Sequence, residues 1–250
     1  MTDYFYKKLQ IVFSIFRHPQ VMDKENIPSP GPAVFVSNHL GSYAPVAVLS
    51  AFPVRLYPWV EHQTTDWKLS PDYLRRNFVE PELHLKPPLS HLAAWLIAWA
   101  CVLLMKIIQA IPVYEKSMKL IITWKHSLEL LKQKKLLIVF PENDNIPFNE
   151  VMNEFDQGFI GLAPLYFKKT GRALKFIPVA VHKAAEGIKI GLPVSFNPQK
   201  NIASERERIK TALQTSITKM YLSLSSGTSA SRCRFRKASP AWREPWAKRK

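Results

Sequence analysis

Apolar positions along this chain recur at two spacings. Unbroken runs of four or five residues predict buried strands, and returns every three or four residues predict helices with one apolar face. "AVFVS", ending at Asn38, reads as a short buried strand. "PVAVLSAF" after it reads as a helix whose first turn accepts Pro45 and whose cap is expected at Ser42. "AIPVYEKS" reads as a strand leaving into a loop, where Ser117 is placed to cap a helix with Leu120, Ile121, Trp124, Leu128 and Leu131 on its apolar face. Lys132, Lys134 and Lys135 suit the negative end of that helix. "LLIVF" is a strand running straight into the turn-prone "PENDN", and "LKFIPVAV" and "IKIGLPVSF" are two more. Ser204 and Glu207 have capping-box spacing ahead of a stripe formed by Ile209, Ala212, Leu213, Ile217, Met220 and Tyr221. Strands alternating with helices predict an α/β fold.

Three segments break this rhythm. "IPSPGP" cannot continue a helix, because each proline removes a donor and pushes its predecessor toward extended backbone. Pro53 to Pro88 mixes proline, aromatic and charged residues without a readable period, and is expected to line a groove. Leu92 to Met105 is an unbroken apolar run, shorter than the roughly 18 to 20 residues of a spanning helix. It predicts a helix that is buried or partly embedded in a membrane. At the N-terminus, Tyr4, Phe5, Leu9, Val12, Phe13 and Phe16 recur at helical spacing beside Lys7, Lys8 and Arg17, the pattern of an interfacial anchor over residues 1–18. A first helix packed on its own domain has the same pattern. The early acid, and the lack of a small-residue cleavage site, argue against a secretory signal.

Composition narrows the class. At 250 residues and 47% hydrophobic, the chain can bury one sizeable core, which sets aside wholesale disorder. A single domain over residues 1–225 is expected, followed by a basic tail over 226–250 whose composition suggests disorder. The net charge of +16 calls for an anionic partner: a membrane surface, a nucleic acid or a phosphorylated small molecule. Almost half of the excess sits in the tail, where eight basic residues face only Glu244. No recognition helix or aromatic RNA-binding motif accompanies it, so an anionic membrane surface is the expected partner and nucleic acid is not. Cys101 and Cys233 have neither metal-site nor disulfide spacing, which fits a reducing compartment.

The candidate chemistry lies at strand ends. No G-x-S-x-G elbow, phosphate-cradling glycine loop or H-E-x-x-H helix is present. His39 follows a strand and precedes a helix, with no carboxylate between Glu25 and Glu61. A histidine there can take a hydroxyl proton near neutral pH, given polar neighbours to hold the acceptor.

The ordered pieces "NHLGSYAP", "IPVYEKS", "FPENDN" and "FIPVAV" resemble the motifs of the glycerol-phosphate and lysophosphatidate acyltransferase family. That family has Asn-His-x4-Asp, an "IPVDR"-like strand, "FPEGTR" and a late "IPV" strand. The resemblance covers roughly Ala33 to Phe196, and "FDQGFIGLAPLYFKKTG" is similar to the family's F-K-x-G loop and helix. It implies a central mixed sheet flanked by helices. It also implies a membrane-associated O-acyltransferase on the cytoplasmic face, using acyl-CoA or acyl-carrier protein as co-substrate and no cofactor or metal. The acceptor would be a lysophospholipid or another lipid hydroxyl.

On this resemblance His39 and Glu142 are the catalytic candidates, and Asn38, Ser42, Tyr43, Lys116, Pro141 and Asn143 the substrate-binding ones. Two departures bear on activity. Ala44 stands where the family has its aspartate, and in serine-protease triads disabling the orienting aspartate costs about 10⁴ in rate. Glu115 stands at the second-motif arginine, with Lys116 beside it, and Asn143, Asp144 and Asn145 replace "GTR", removing bidentate guanidinium contacts to phosphate. Glu61, Asp66 and Glu142 are the acids that folding could bring to His39. A catalytically silent, lipid-holding member of the same fold is the alternative.

Overall fold

The structure, a computed structural model, describes residues 2–16, 19–28, 30–114, 118–142 and 152–232. In chain order it comprises α1 (Thr2–Phe16), β1 (Gln20–Met22), β2 (Ala33–Ser37), α2 (Tyr43–Ala51), β3 (Leu56–Glu61), α3 (Ser70–Leu74), α4 (Glu80–Leu83) and α5 (Leu89–Ile108). Then follow β4 (Ile111–Val113), α6 (Leu120–Lys132), β5 (Leu136–Val139), α7 (Leu162–Thr170), β6 (Lys175–His182), β7 (Gly187–Ile190), β8 (Val194–Ser195) and α8 (Ile202–Arg232). The eight strands form one mixed sheet in the order β1-β7-β6-β2-β5-β3-β4, with β8 paired to β6. β6, β2, β5, β3 and β4 run parallel, whereas β7 and β8 are antiparallel to β6.

The uninterrupted apolar runs become the strands buried on both faces, as parallel sheets require. All of β2 and β5 is buried. Val34, Val36, Leu137 and Val139 meet α7 and α8 residues on one face, while Phe35, Ile138 and Ile177 meet Ala47, Val48 and Phe52 on the other. Each large side chain taken fully out of water there contributes about 1.5–3 kcal/mol. On α8 the expected stripe packs inward through Ile209, Leu213, Ile217 and Met220. The helix runs on to Arg232, past the point where the sequence turns basic at Ser226, and residues 233–250 lie outside those described.

Several local expectations are corrected. Ser42 makes no capping bond to α2; a turn closed by Tyr43 N–H onto the Leu40 carbonyl at 3.1 Å starts that helix instead. On α8 the cap is Asn201, not Ser204: its Oδ1 accepts from Ala203 N at 2.9 Å and Ser204 N at 3.4 Å. The asparagine precedes the first turn, where its side chain reaches orphan amides, whereas Ser204 already lies inside the helix. On α6 the buried residues are Thr123, Ser127 and Leu131, and Ile121 is 63% exposed. Ser117 lies outside the described residues.

The unreadable stretch 53–88 contains a whole strand, β3, then a single turn of 3-10 helix and the short helices α3 and α4. The apolar run also grows. α5 has 20 residues, and only 22% of its most apolar 18-residue window is buried. Ser90, Ala94, Ala98, Val102 and Ile108 face the protein, while Leu92, Trp95, Leu96 and Trp99 stand in the open. α1 packs on α2 and α5. It does so through buried Tyr6 and through Gln10, whose amide donates to the Leu49 and Phe52 carbonyls at 3.1 Å. Of its apolar residues, Tyr4, Phe5, Ile11 and Val12 remain exposed.

Candidate active site

The parallel strands deliver the loops after β2, β3 and β5 to one edge of the sheet, the place where open α/β sheets hold ligands. A cavity of about 590 Å³ opens there. His39, Ser42, Glu61, Thr64, Glu142 and Asp156 are among its polar lining residues, with Pro141 beside Glu142. Its apolar wall extends through Val46 and Leu49 of α2, Phe13 of α1 and Leu104, Met105 and Ile108 of α5.

His39 is held on both sides through its backbone. Asn38, fully buried, continues the β2–β6 ladder with its side chain: Oδ1 accepts from Val181 N at 2.8 Å, and Nδ2 donates to Val181 O at 3.0 Å. Both polar ends of a buried amide are thus satisfied, and the strand end is pinned where His39 begins. Across the cleft the Glu142 carboxylate accepts from His39 N at 2.6 Å and from Asn153 N at 3.0 Å. Glu142 also forms an isolated antiparallel bridge with Phe155, and the Pro141 carbonyl accepts from Asp156 N at 2.8 Å. A carboxylate that accepts main-chain N–H groups makes the strong, charge-assisted kind of bond. Two loops are tied together at the level of His39. Its ring lies edge-on to Phe140 with centroids 5.6 Å apart. Gly41, at φ +55°, then turns the chain into α2 in a conformation that suits glycine.

Ala44 is fully buried within the apolar cluster of Phe35, Val48 and Ile177. Of the residues singled out in the sequence, His39, Ser42, Pro141 and Glu142 line the cavity. Asn38 and Tyr43 are buried behind its wall. Lys116 and Asn143 lie outside the described residues, as do Glu115, Asp144 and Asn145. Asp66 is exposed and spends Oδ1 on Lys68 N at 2.7 Å. The residues that sequence reasoning passed over come mostly from β3 and from the helices. Trp59 and Thr64 line the cavity with Tyr73 and Phe13, and so does Glu61, one of the acids expected near His39. A reading of Leu56–Glu61 as a strand would have found Trp59, but Pro58 disguised it.

Burial raises the Cys101 thiol above its ordinary pKa, so this half-buried group on α5 is a poor acyl-accepting nucleophile. Among the described residues no cluster of three histidine, cysteine or acidic side chains is placed to hold a metal ion.

No family model and no curated protein matches the chain. A solved structure does: the crystal structure of the 1-acyl-sn-glycerophosphate (LPA) acyltransferase PlsC from Thermotoga maritima, with 16% identity and a TM-score of 0.53 over 94% of this chain and 81% of that one. The chain has an acyltransferase-like fold. At this identity the similarity speaks for the architecture, a mixed sheet flanked by helices. Within that acyltransferase-like fold, the cavity wall and the backbone clamp on His39 are properties of this chain's own residues.

Proposed function

We propose that the protein is a membrane-associated O-acyltransferase, moving a fatty acyl group from acyl-CoA or acyl-carrier protein to a hydroxyl of a lysophospholipid or related lipid. The observation that carries this reading is a histidine, held through its backbone, lining a largely apolar cavity at the carboxyl edge of the sheet. The His39 imidazole removes the acceptor hydroxyl proton, and the oxygen attacks the thioester carbonyl. Collapse of the tetrahedral adduct breaks the C–S bond, and the thiolate leaves with the proton returned from His39. The ester forms without an acyl-enzyme. Glu142 and Asn38 act here as positioning residues, setting where the imidazole sits.

Membrane association is supported by two helices that are apolar both outward and toward the cavity. The outer faces of α1 and α5 expose Ile11, Val12, Leu92, Trp95 and Trp99, while Phe13, Leu104, Met105 and Ile108 of the same helices line the cavity. An acyl chain held in that wall stays in apolar surroundings, and tryptophans at an apolar surface are placed as interfacial anchors. The +16 charge favours an anionic cytoplasmic leaflet.

The test is thiol release from palmitoyl-CoA in the presence of vesicles carrying lysolipids. Wild type releases thiol in step with lysolipid loss, and His39→Ala stops both; equal release by the two forms removes His39 from the reaction. The burial of Ala44 in an apolar cluster favours a second reading, a lipid-holding protein without turnover. Lysolipid binding without thiol release would establish that one.

A further inference from the structure

The catalytic-edge cavity carries a charge pattern of its own. Its described lining residues include three carboxylates, Glu61, Glu142 and Asp156, and no lysine or arginine. In the sequence, Glu115 and Asn145 stand at the two positions where the resembled family has arginines. Among the described lining residues, a phosphomonoester with nearly two negative charges meets carboxylates and no guanidinium fork. Two of the three carboxylates have structural duties. Glu142 is tied to main-chain amides, and Asp156 accepts from Gly158 N at 2.6 Å. Glu61, at the last position of β3, has none of that kind.

Glu61 also has a distinctive neighbourhood. Its Oε1 lies 2.6 Å from His62 Nδ1, and the His62 ring is in turn packed on Tyr114 with centroids 4.8 Å apart. Gln63 Nε2 also donates to Glu61 Oε1, at 3.4 Å. Trp59 and Tyr73 line the same cavity. Trp59 is anchored by its indole N–H to Ser127 Oγ at 2.9 Å, which keeps the ring in place. Carboxylates and aromatic rings lining one concave site are groups that attract ammonium and quaternary ammonium ions.

Continued past the last β2–β5 and β3–β5 pairs, at Val36 and Pro58, the register puts Glu61 level with Asn38, two strands away. At about 4.8 Å per strand this sets the Glu61 backbone roughly 10 Å from the Asn38 backbone, where the His39 loop starts. That span equals about eight bonds of extended chain at roughly 1.2 Å each. A lysolipid whose headgroup ends in an ammonium has about eight bonds between its glycerol hydroxyl and its nitrogen, a reach of that order. Building on the acyl-transfer reading, we propose that the Glu61–Trp59–Tyr73 wall selects an acceptor with a cationic nitrogen in its headgroup, in preference to a phosphomonoester or a headgroup without a cation.

The experiment compares lysophosphatidylcholine, lysophosphatidylglycerol and lysophosphatidate in vesicles of one composition. Thiol release and quenching of tryptophan fluorescence are both recorded, for wild type and for Glu61→Gln. The choline lipid is expected to be the best acceptor. Its kcat/KM advantage over the glycerol lipid should shrink about tenfold in Glu61→Gln, the size of one desolvated cation contact, chiefly through KM. Tyr73→Leu should erode the same ratio, so a poorly folding Glu61 variant does not leave the claim untested. Best turnover with lysophosphatidate, or an advantage unmoved by both variants, overturns the headgroup assignment and leaves acyl transfer standing. No thiol release with any lipid, but Glu61-dependent quenching by the choline lipid alone, supports the headgroup assignment and overturns acyl transfer.

Discussion

Replacing Glu142 by glutamine isolates the clamp on His39. The carboxylate accepts two main-chain N–H groups, from His39 at 2.6 Å and Asn153 at 3.0 Å. Glutamine keeps one acceptor oxygen but sets an NH₂ donor against the other N–H, so one bond to a charged group is lost and a buried donor is left facing a donor. Hydrogen bonds to charged groups contribute about 1.5–3 kcal/mol, and because Glu142 is half-buried the lower end applies. For a chain of this size each kcal/mol moves Tm by about 2–4 °C, so Glu142→Gln should melt roughly 3–8 °C lower by circular dichroism. Releasing the His39 backbone by as much as ~1 Å should also lower kcat about 100-fold, with KM little changed, because proton transfer depends on alignment. Glu129→Gln, an exposed change on α6, serves as the control and should alter neither quantity. A Glu142→Gln protein that melts and turns over like wild type refutes the clamp. One that melts lower yet turns over normally shows that the clamp holds the loops without positioning the imidazole.

Other predictions follow from the same geometry. Ala44→Asp, the change that restores the resembled family's aspartate, puts a carboxylate into a fully buried apolar site; it should lower stability in chemical denaturation by at least about 1–3 kcal/mol, and it should not raise acyl transfer. Deleting residues 1–16, or changing Trp95 and Trp99 to serine, should weaken flotation with anionic vesicles, and unchanged flotation would dispose of the α1–α5 face as the membrane contact. Glu205 is fully buried, and its pKa is held below the ordinary value first by the Arg208 side chain and then by the Asn197 N–H. A lowered folded-state pKa means that its contribution is complete above the unfolded carboxylate's value of about 4.3 and is lost as pH falls through the lower folded value. Glu205→Gln should therefore be less stable than wild type at pH 7 and converge with it toward pH 2; a constant difference across that range would contradict the assignment.

Sequence alone determined the elements whose burial is written in local pattern. β2 and β5 are nearly uninterrupted apolar runs, and β6 is one apart from Pro178 and its two ends; they could be located because both faces of a central parallel strand are covered. The inward stripe of α8 was equally legible, since helical spacing shows which residues share a face. His39 was found by its place between a strand and a helix. β3 was not legible: "LYPWVE" carries a proline, two aromatics and a terminal acid, and its pairing to β5 and β4 depends on residues far along the chain. With β3 went Trp59 and the placement of Glu61, an acid the sequence had singled out without locating it on a strand.

Which face of α5 would be covered was likewise undetermined, because an apolar residue looks the same whether it meets protein or lipid; only packing against α1 and α3 separated Ala98 from Trp99. The same holds for Glu142. Local sequence supplies a carboxylate after a strand, but that it reaches the His39 amide, 103 residues away, follows from β2 and β5 lying side by side in the sheet. Local periodicity set the secondary structure, and strand order, a long-range property, decided which polar groups share the cavity.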